Sequence, residues 1–304
     1  MPRDAAPDHE HIVSGILCRI GSGLSFSTMG ALLKLASSYG LNAPELVFYR
    51  SLFSLPVVLL WVLKRENFAA LRPNNPLSHM WRSALGLVSM GLTFQALILL
   101  PLADATAINF TAPIFATILS FLILREHVGL HRWTAVFVGF AGVLVVARPG
   151  GSSLPALGVT VAIIAAICQA GVTTTLRQIL RSENMSAIVF WFAVAGIVVG
   201  GALMPLFGHV HGFAPMAFVI AGGVLGGIGQ LFMTASLRAP VSAVTPFDYL
   251  QIVAATAYGW LFFSDVPTQH TIIGACLIAT AGLYTAWREY RRRVEQAAAA
   301  VPAV

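Results

Sequence analysis

One apolar stretch occurs twice in this chain, and a chain made of two copies of one unit has few architectures open to it. The first copy runs from Ala103 to Glu126 and the second from Ala239 to Asp265. Each opens on a pentad of small and polar residues, Ala103 to Ala107 and Ala239 to Ala243. Each carries a proline inside its apolar run, Pro113 or Pro246, and closes on an acid. A short insertion in the second copy accounts for its greater length. Fainter echoes join Leu46–Arg50 to Ala187–Trp191 and Leu33–Leu35 to Leu176–Gln178. The repeating unit is about half of the 304 residues.

The setting of that unit is a bilayer. Hydrophobic residues make up 57% of the chain and charged ones 10%, against about 25% charged in a soluble domain. The mean hydropathy is +0.81. Ten apolar runs can be marked, at roughly 13–36, 44–63, 81–100, 102–124, 131–148, 156–178, 186–207, 213–237, 239–263 and 267–287. Each is about the length that crosses a membrane as a helix. The expected fold is therefore an all-α membrane protein of ten transmembrane helices. The net charge of +6 would suggest nucleic acid in a soluble protein. Here the basic residues sit between apolar runs, so the lipid bilayer is the expected partner and nucleic acid is not. Cys18, Cys168 and Cys276 lie inside apolar runs with no metal-ligand spacing and read as small buried hydrophobes. The first residues hold acids where a secretory signal would be basic, so no cleaved signal is expected.

Orientation follows from where Lys and Arg fall. With the N-terminus inside, Arg3, Lys64, Arg65, Arg72, Arg82, Arg125, Arg132, Arg177, Arg181, Arg238, Arg288 and Arg291 to Arg293 fall on the inner side. Arg148 falls outside, with Lys34 near the outer end of the first span. The positive-inside rule then puts both termini in the cytoplasm. Five spans per half is an odd number, so the second half enters upside down. The halves are 12–148 and 156–288, two inverted five-helix repeats, and 289–304 reads as a disordered cytoplasmic tail. Inverted repeats are a transporter plan with the substrate site at their interface.

Polar groups within the spans are candidates for that site, because charge at mid-span is expensive. Asp248 is the acid nearest the middle of a span, just after Pro246 and beside Tyr249 and Gln251. Thr106, Asn109, Pro113, Thr117 and Ser120 recur on one face of the fourth span; Ser242, Thr245, Asp248 or Tyr249, and Thr256 repeat this in the ninth. Gln169, Thr173 and Arg177 stripe the sixth span, and Gln95 and Gln230 lie in the third and eighth. Thr and Ser at such positions are expected to bond their own backbone, whereas Asn109 and Asp248 occupy near-equivalent repeat positions and point to function. Arg50 lies about 9 Å into the second span and suits a carboxylate, with pairing to Glu45 or snorkelling as alternatives. Lys34 suits the interface as well as a ligand. Pro56, Pro113 and Pro246 can kink their spans, and glycines at 196–201 and 222–227 allow close packing. Gly226 to Gly229 follows no strand and is no nucleotide loop. Glu126, His127 and His131, like His209 and His211, lack further ligands, so no metal and no other cofactor is expected.

With these residues in view, the chain from Ile12 to Trp287 resembles an EamA-type member of the drug/metabolite transporter superfamily. The likeness rests on Pro44–Arg50, on Ala103–Glu126 followed by Ala141-Gly142, and on Ala239–Asp265 followed by Ala281-Gly282. Asp265 stands where the family usually has glutamate. The resemblance implies a bacterial inner-membrane carrier rather than an enzyme. One chain would suffice, exporting amino acids or related small metabolites by alternating access. Asp248 would meet a substrate ammonium or carry a coupling proton. Asn109, Tyr249, Gln251, Gln95 and Gln169 would line the cavity. The alternative is an importer of a vitamin, nucleoside or S-adenosylmethionine-like metabolite, with Tyr249 and Trp191 stacking on a ring. From another class, an intramembrane enzyme would need a deeper catalytic set than the sequence offers.

Overall fold

The structure, a computed structural model, describes residues 9–124, 130–147, 154–180, 182–236 and 244–299. Glu126, Arg148 and the pentad Ala239–Ala243 lie outside them. The described residues form helices and no strand. In chain order they are α1 (His9–Ser38), α2 (Ala43–Arg65), α3 (Pro76–Leu99), α4 (Leu102–Asn109), α5 (Ala112–Leu124), α6 (Leu130–Ala147), α7 (Ala156–Ile179), α8 (Met185–Phe207), α9 (Phe213–Ser236), α10 (Leu250–Phe263) and α11 (Gln269–Ala299). Short 3-10 turns occur at Phe68–Leu71 and Thr245–Tyr249. Eight helical stretches among the described residues are long and apolar enough to cross a membrane, and Trp133–Ala147 is a shorter apolar one. The described part of the ninth run is a 3-10 turn followed by α10, and with it the apolar stretches number ten, as in the EamA-type fold expected from the sequence.

Helix ends follow the residues that satisfy orphan N–H groups. Asn42 caps α2 and forms a capping box with Glu45. Asn75 caps α3 ahead of Pro76, and Asn184 caps α8. Pro56 sits inside an unbroken α2, so that proline produces no break. The other two do. The fourth run divides at Phe110-Thr111 into α4 and α5, because Pro113 lacks an N–H and its ring crowds the carbonyl of Asn109. In the ninth run the described residues turn 3-10 from Thr245 to Tyr249, through Pro246, and are α-helical again from Leu250. The last helix continues through the segment expected to be a disordered tail, as far as Ala299; its Arg, Glu, Gln and Ala residues are good helix formers.

The packing is symmetric under exchange of the halves. α1 lies along α9 as α3 lies along α7, α2 along α9 as α8 along α3, and α1 along α10 as α7 along α4 and α5. α2 with α8, α6 with α11, and α4 with α10 are the pairs in which corresponding helices meet. At the α6–α11 crossing, a Cβ on Gly142 would stand 2.9 Å from the Gly274 carbonyl, and one on Gly274 2.7 Å from the Gly142 carbonyl. The two backbones therefore touch, the close approach small residues permit in lipid. Leu33, Leu46, Leu102, Ile108 and Val219 are buried between the helices, while Leu17, Trp81, Phe137, Val198 and Trp260 face outward. An apolar outer surface of this kind suits acyl chains, not water.

Candidate functional site

The two interrupted spans meet. α4 packs on α10, and the rings of Phe110 and Tyr249, one from each interruption, lie 5.3 Å apart. Asn109 closes α4 with its Oδ1 buried and unpartnered. Tyr249 reaches α11, where its hydroxyl fills the space a side chain at Gly282 would need. Gln251 packs against Gly23 of α1, and its carbonyl accepts from Ser27 Oγ at 3.2 Å. Asn109, Asp248, Tyr249 and Gln251 are thus gathered where the repeats' broken helices adjoin.

Asp248 has a partner that sequence reasoning missed. Arg19 of α1 donates to both carboxylate oxygens, from Nε to Oδ1 and from Nη2 to Oδ2 at 2.6 Å. Its Nη1 also reaches Ser236 Oγ at 3.4 Å. Both side chains are 17% exposed. A bidentate pair of this sort is among the stronger polar contacts a protein makes. The signal for it was available: an arginine inside a span needs a partner.

A second cluster lies beside Phe192 of α8. Arg50 of α2 and Arg82 of α3 are each 5% exposed. Their guanidinium carbons stand 5.8 and 4.9 Å from the Phe192 ring centre. Arg50 does not pair with Glu45 or snorkel, and Arg82, expected among the orienting charges of the inner side, lies within the bundle instead. Arg50 Nε, Arg82 Nε and Nη1, and the neighbouring Ser51 Oγ are buried without a hydrogen-bond partner. None of the ion pairs among the described residues includes either arginine. On insertion scales an arginine at the centre of a span costs about 2.5–3.5 kcal/mol and less toward its ends, and this interface holds two, each about two turns into its helix.

The remaining candidates have structural partners or none. Lys34 Nζ donates to the carbonyls of Leu97, at 2.8 Å, and Leu100. It caps the end of α3 and does not reach the interruptions. Gln169 accepts from Ser89 Oγ at 3.1 Å and so ties α7 to α3. Trp191 is 36% exposed, and its indole N–H donates to the Leu71 carbonyl at 2.9 Å, which puts it on the periphery. Gln95 is half-buried on α3. Thr106, Thr117 and Thr173 bond the carbonyl one turn back, as expected for threonine in a span.

Each end of the bundle also carries a buried glutamate that ties one half to the other. Glu45, at the start of α2, accepts from the His209 backbone N–H at 2.8 Å and sits 2.7 Å from His211 Nε2, both in the α8–α9 connection. Asn42 beside it donates to the Phe207 carbonyl. At the opposite end, Glu183, just before α8, accepts from the backbone N–H groups of Asn74 and Asn75, at 3.0 and 2.6 Å, in the α2–α3 connection. Glu183 also lies 3.1 Å from His79 Nε2, and Asn74 donates to the Ser182 carbonyl. His209 and His211, set aside as metal ligands, serve this contact. Burial pushes the Glu183 carboxyl up, but the Asn74 N–H, His79 and the Asn75 N–H hold it, on balance, below its ordinary value.

Comparison with known proteins gives a consistent pattern. The profile of the EamA-like transporter family matches twice, at residues 13–148 and 156–286. A pseudopaline exporter of Pseudomonas aeruginosa is 31% identical over 272 residues, 88% of this chain and 94% of that protein. A riboflavin transporter of Rhizobium johnstonii is 28% identical, covering 94% of this chain and 95% of its own. An S-adenosylmethionine uptake transporter of Rickettsia felis is 28% identical, covering 82% and 84%. A protein of known crystal structure, 20% identical, superposes with a TM-score of 0.66 over 92% of this chain and 98% of that one, and so shares the fold.

Proposed function

The chain belongs to the EamA-like transporter family of the drug/metabolite transporter superfamily, and from that premise we propose a secondary transporter that exports amino acids or related small metabolites by alternating access. The observation that carries this reading is the meeting of two broken helices, one from each half, with Asn109, Asp248 and Tyr249 at the breaks. Broken helices at a repeat interface free backbone groups and turn helix ends toward a substrate, the arrangement by which many carriers bind at mid-membrane. The chain is multi-pass, and the distribution of Lys and Arg supports an inner-membrane protein with both termini in the cytoplasm.

In this reading Asp248 is held by Arg19 when no substrate is bound. A substrate ammonium, or a proton, competes with Arg19 for that carboxylate. Asn109, Tyr249, Gln251 and Gln95 contact the rest of the molecule, while Lys34, Gln169 and Trp191 hold helices in place. Similarity to an exporter supports outward flux. Similarity to riboflavin and S-adenosylmethionine transporters favours a second reading, an importer of a ring-bearing metabolite, for which the Phe110–Tyr249 pair offers a stacking surface.

Uptake of labelled amino acids into liposomes holding the purified protein tests the first reading. Saturable uptake by wild type, lost in Asp248→Asn protein that still folds, is expected. No uptake of aromatic, aliphatic, hydroxyl-bearing or charged amino acids by folded protein would reject amino acids as the cargo. Uptake of riboflavin or S-adenosylmethionine instead would establish the second reading.

A further inference from the structure

We infer that Arg50 and Arg82 form an anion subsite between the two halves, and that the molecule carried is an organic dicarboxylate. This rests on the transporter reading above and narrows it from zwitterions, which amino acids mostly are, to diacids.

The argument is one of charge balance. Two guanidinium groups, each 5% exposed, flank one aromatic ring. Of the helices packed around them, α3, α7, α8 and α9 hold no acidic residue, and the one acid of α1, Glu10, lies in its first turn. Gly226 of α9 lies against Arg50, and Met29 of α1 borders the same glycine. Phe192 of α8 and Gly86 of α3 lie against Arg82. The one acid near Arg50 on its own helix, Glu45, is taken up by Asn42, His209 and His211. Cation–π contact with Phe192 relieves part of the penalty but cannot neutralise either charge, and like charges brought together in a poorly polarisable interior repel.

Packing has also made room for the guanidinium groups. A Cβ on Gly226 would come within 3.0 Å of Arg50 Nε. A Cβ on Gly86 would come within 2.8 Å of the Phe192 ring and would strike Arg82 itself. The unspent donors, Arg50 Nε, Arg82 Nε and Nη1, and Ser51 Oγ, are what carboxylates accept from, in the paired geometry arginine favours. One carboxylate would leave the site with a net positive charge; two bring it to zero. Met29, which with Arg50 borders Gly226, and Gly23, which borders Gln251, are six residues apart on α1, about 9 Å along the axis. A small metabolite can therefore engage both the arginines and the helix breaks.

The test has a binding arm and a transport arm. In the first, the melting temperature of the full-length protein in detergent is followed with malonate, succinate, glutarate and adipate, with their diamides, and with inorganic phosphate. A ligand that binds only the folded state raises that temperature. At least one diacid is expected to do so while its diamide does not. Arg82→Gln is expected to melt higher than wild type without ligand, since it removes an uncompensated charge, and to lose the diacid shift. Arg50→Gln is expected to behave likewise. In the transport arm, labelled L-glutamate is compared with L-glutamine in liposomes, and either substitution should raise the KM for glutamate about tenfold or more.

Stabilisation by phosphate and by no diacid would overturn the dicarboxylate assignment. Variants that melt lower yet keep the diacid shift would make the arginines structural, and would overturn it too. Uptake of glutamine without any effect of diacids overturns this inference and leaves the carrier reading standing. A diacid shift that needs both arginines, with no uptake of any solute, upholds the subsite and rejects the carrier.

Discussion

At the scale of single residues, most of the information lies in which charges have partners. Arg19 and Asp248 are mutually satisfied. Removing one leaves the other buried and unpaired, whereas removing both leaves no such debt. Arg19→Met is therefore expected to destabilise the protein by about 3 kcal/mol, and Arg19→Met combined with Asp248→Leu to recover most of that loss in a melting assay. If the double variant is no better than the single one, the pair does not set the stability of that region. Gly282 makes a second residue-scale case, since the Tyr249 hydroxyl occupies the place of any side chain there. Gly282→Val should displace Tyr249 from Phe110 and destabilise the fold, and Tyr249→Phe in the same chain should restore part of the loss. The sequence made Asp248 conspicuous because acids are rare in apolar runs. It hid Arg19, whose partner is 229 positions away, and it hid Arg82, which lies near the end of an apolar run and looks like one more orienting charge. Proximity across a bundle is not written in local sequence.

At the scale of elements, the duplicated stretch announced both broken spans through Pro113 and Pro246, while Pro56 shows that a proline alone does not decide the matter. At the break in the first half Thr111 Oγ1 also donates to the Ile108 carbonyl at 2.6 Å, across the turn. Pro113→Ala is expected to favour a continuous helix and to lower the maximal transport rate with the fold intact; an unchanged rate would show that the break is incidental. The glutamate ties at the two ends were not legible, because each carboxylate's partners in the other half lie more than a hundred positions away and each needs that half to be in place. The Glu183 tie has a pH signature. Its carboxyl is held below the ordinary value of 4.5, so its contribution is complete above that pH and is lost as pH falls through the lower, folded value. Melting temperature should fall as the pH drops below about 4.5. Glu183→Gln should melt lower at neutral pH and show a flatter acid slope, whereas equal slopes in the two proteins would remove Glu183 from the account.

At the scale of the whole molecule, the exchange symmetry of the packing joins these elements into one device. Glu45 closes one end and Glu183 the other, each by gripping the connection that belongs to the opposite half. Glu45→Gln and Glu183→Gln are thus expected to loosen opposite ends. With Asn109→Cys as the only thiol, a membrane-impermeant reagent should gain access from one side in the first variant and from the other side in the second. Access from the same side in both would show that the ties do not hold the ends shut. The likeness of the two ties has an energetic corollary. Opening either end breaks a bond set of the same make: one carboxylate, its backbone donors and its histidine contacts. If the carrier alternates as proposed, the two open forms are expected to lie at similar free energy, with little built-in preference for loading on one side and unloading on the other. On the alternating-access reading proposed above, such a body would be a reversible valve, with the direction of flux set by the gradient of the cargo or of a coupled proton rather than by the fold.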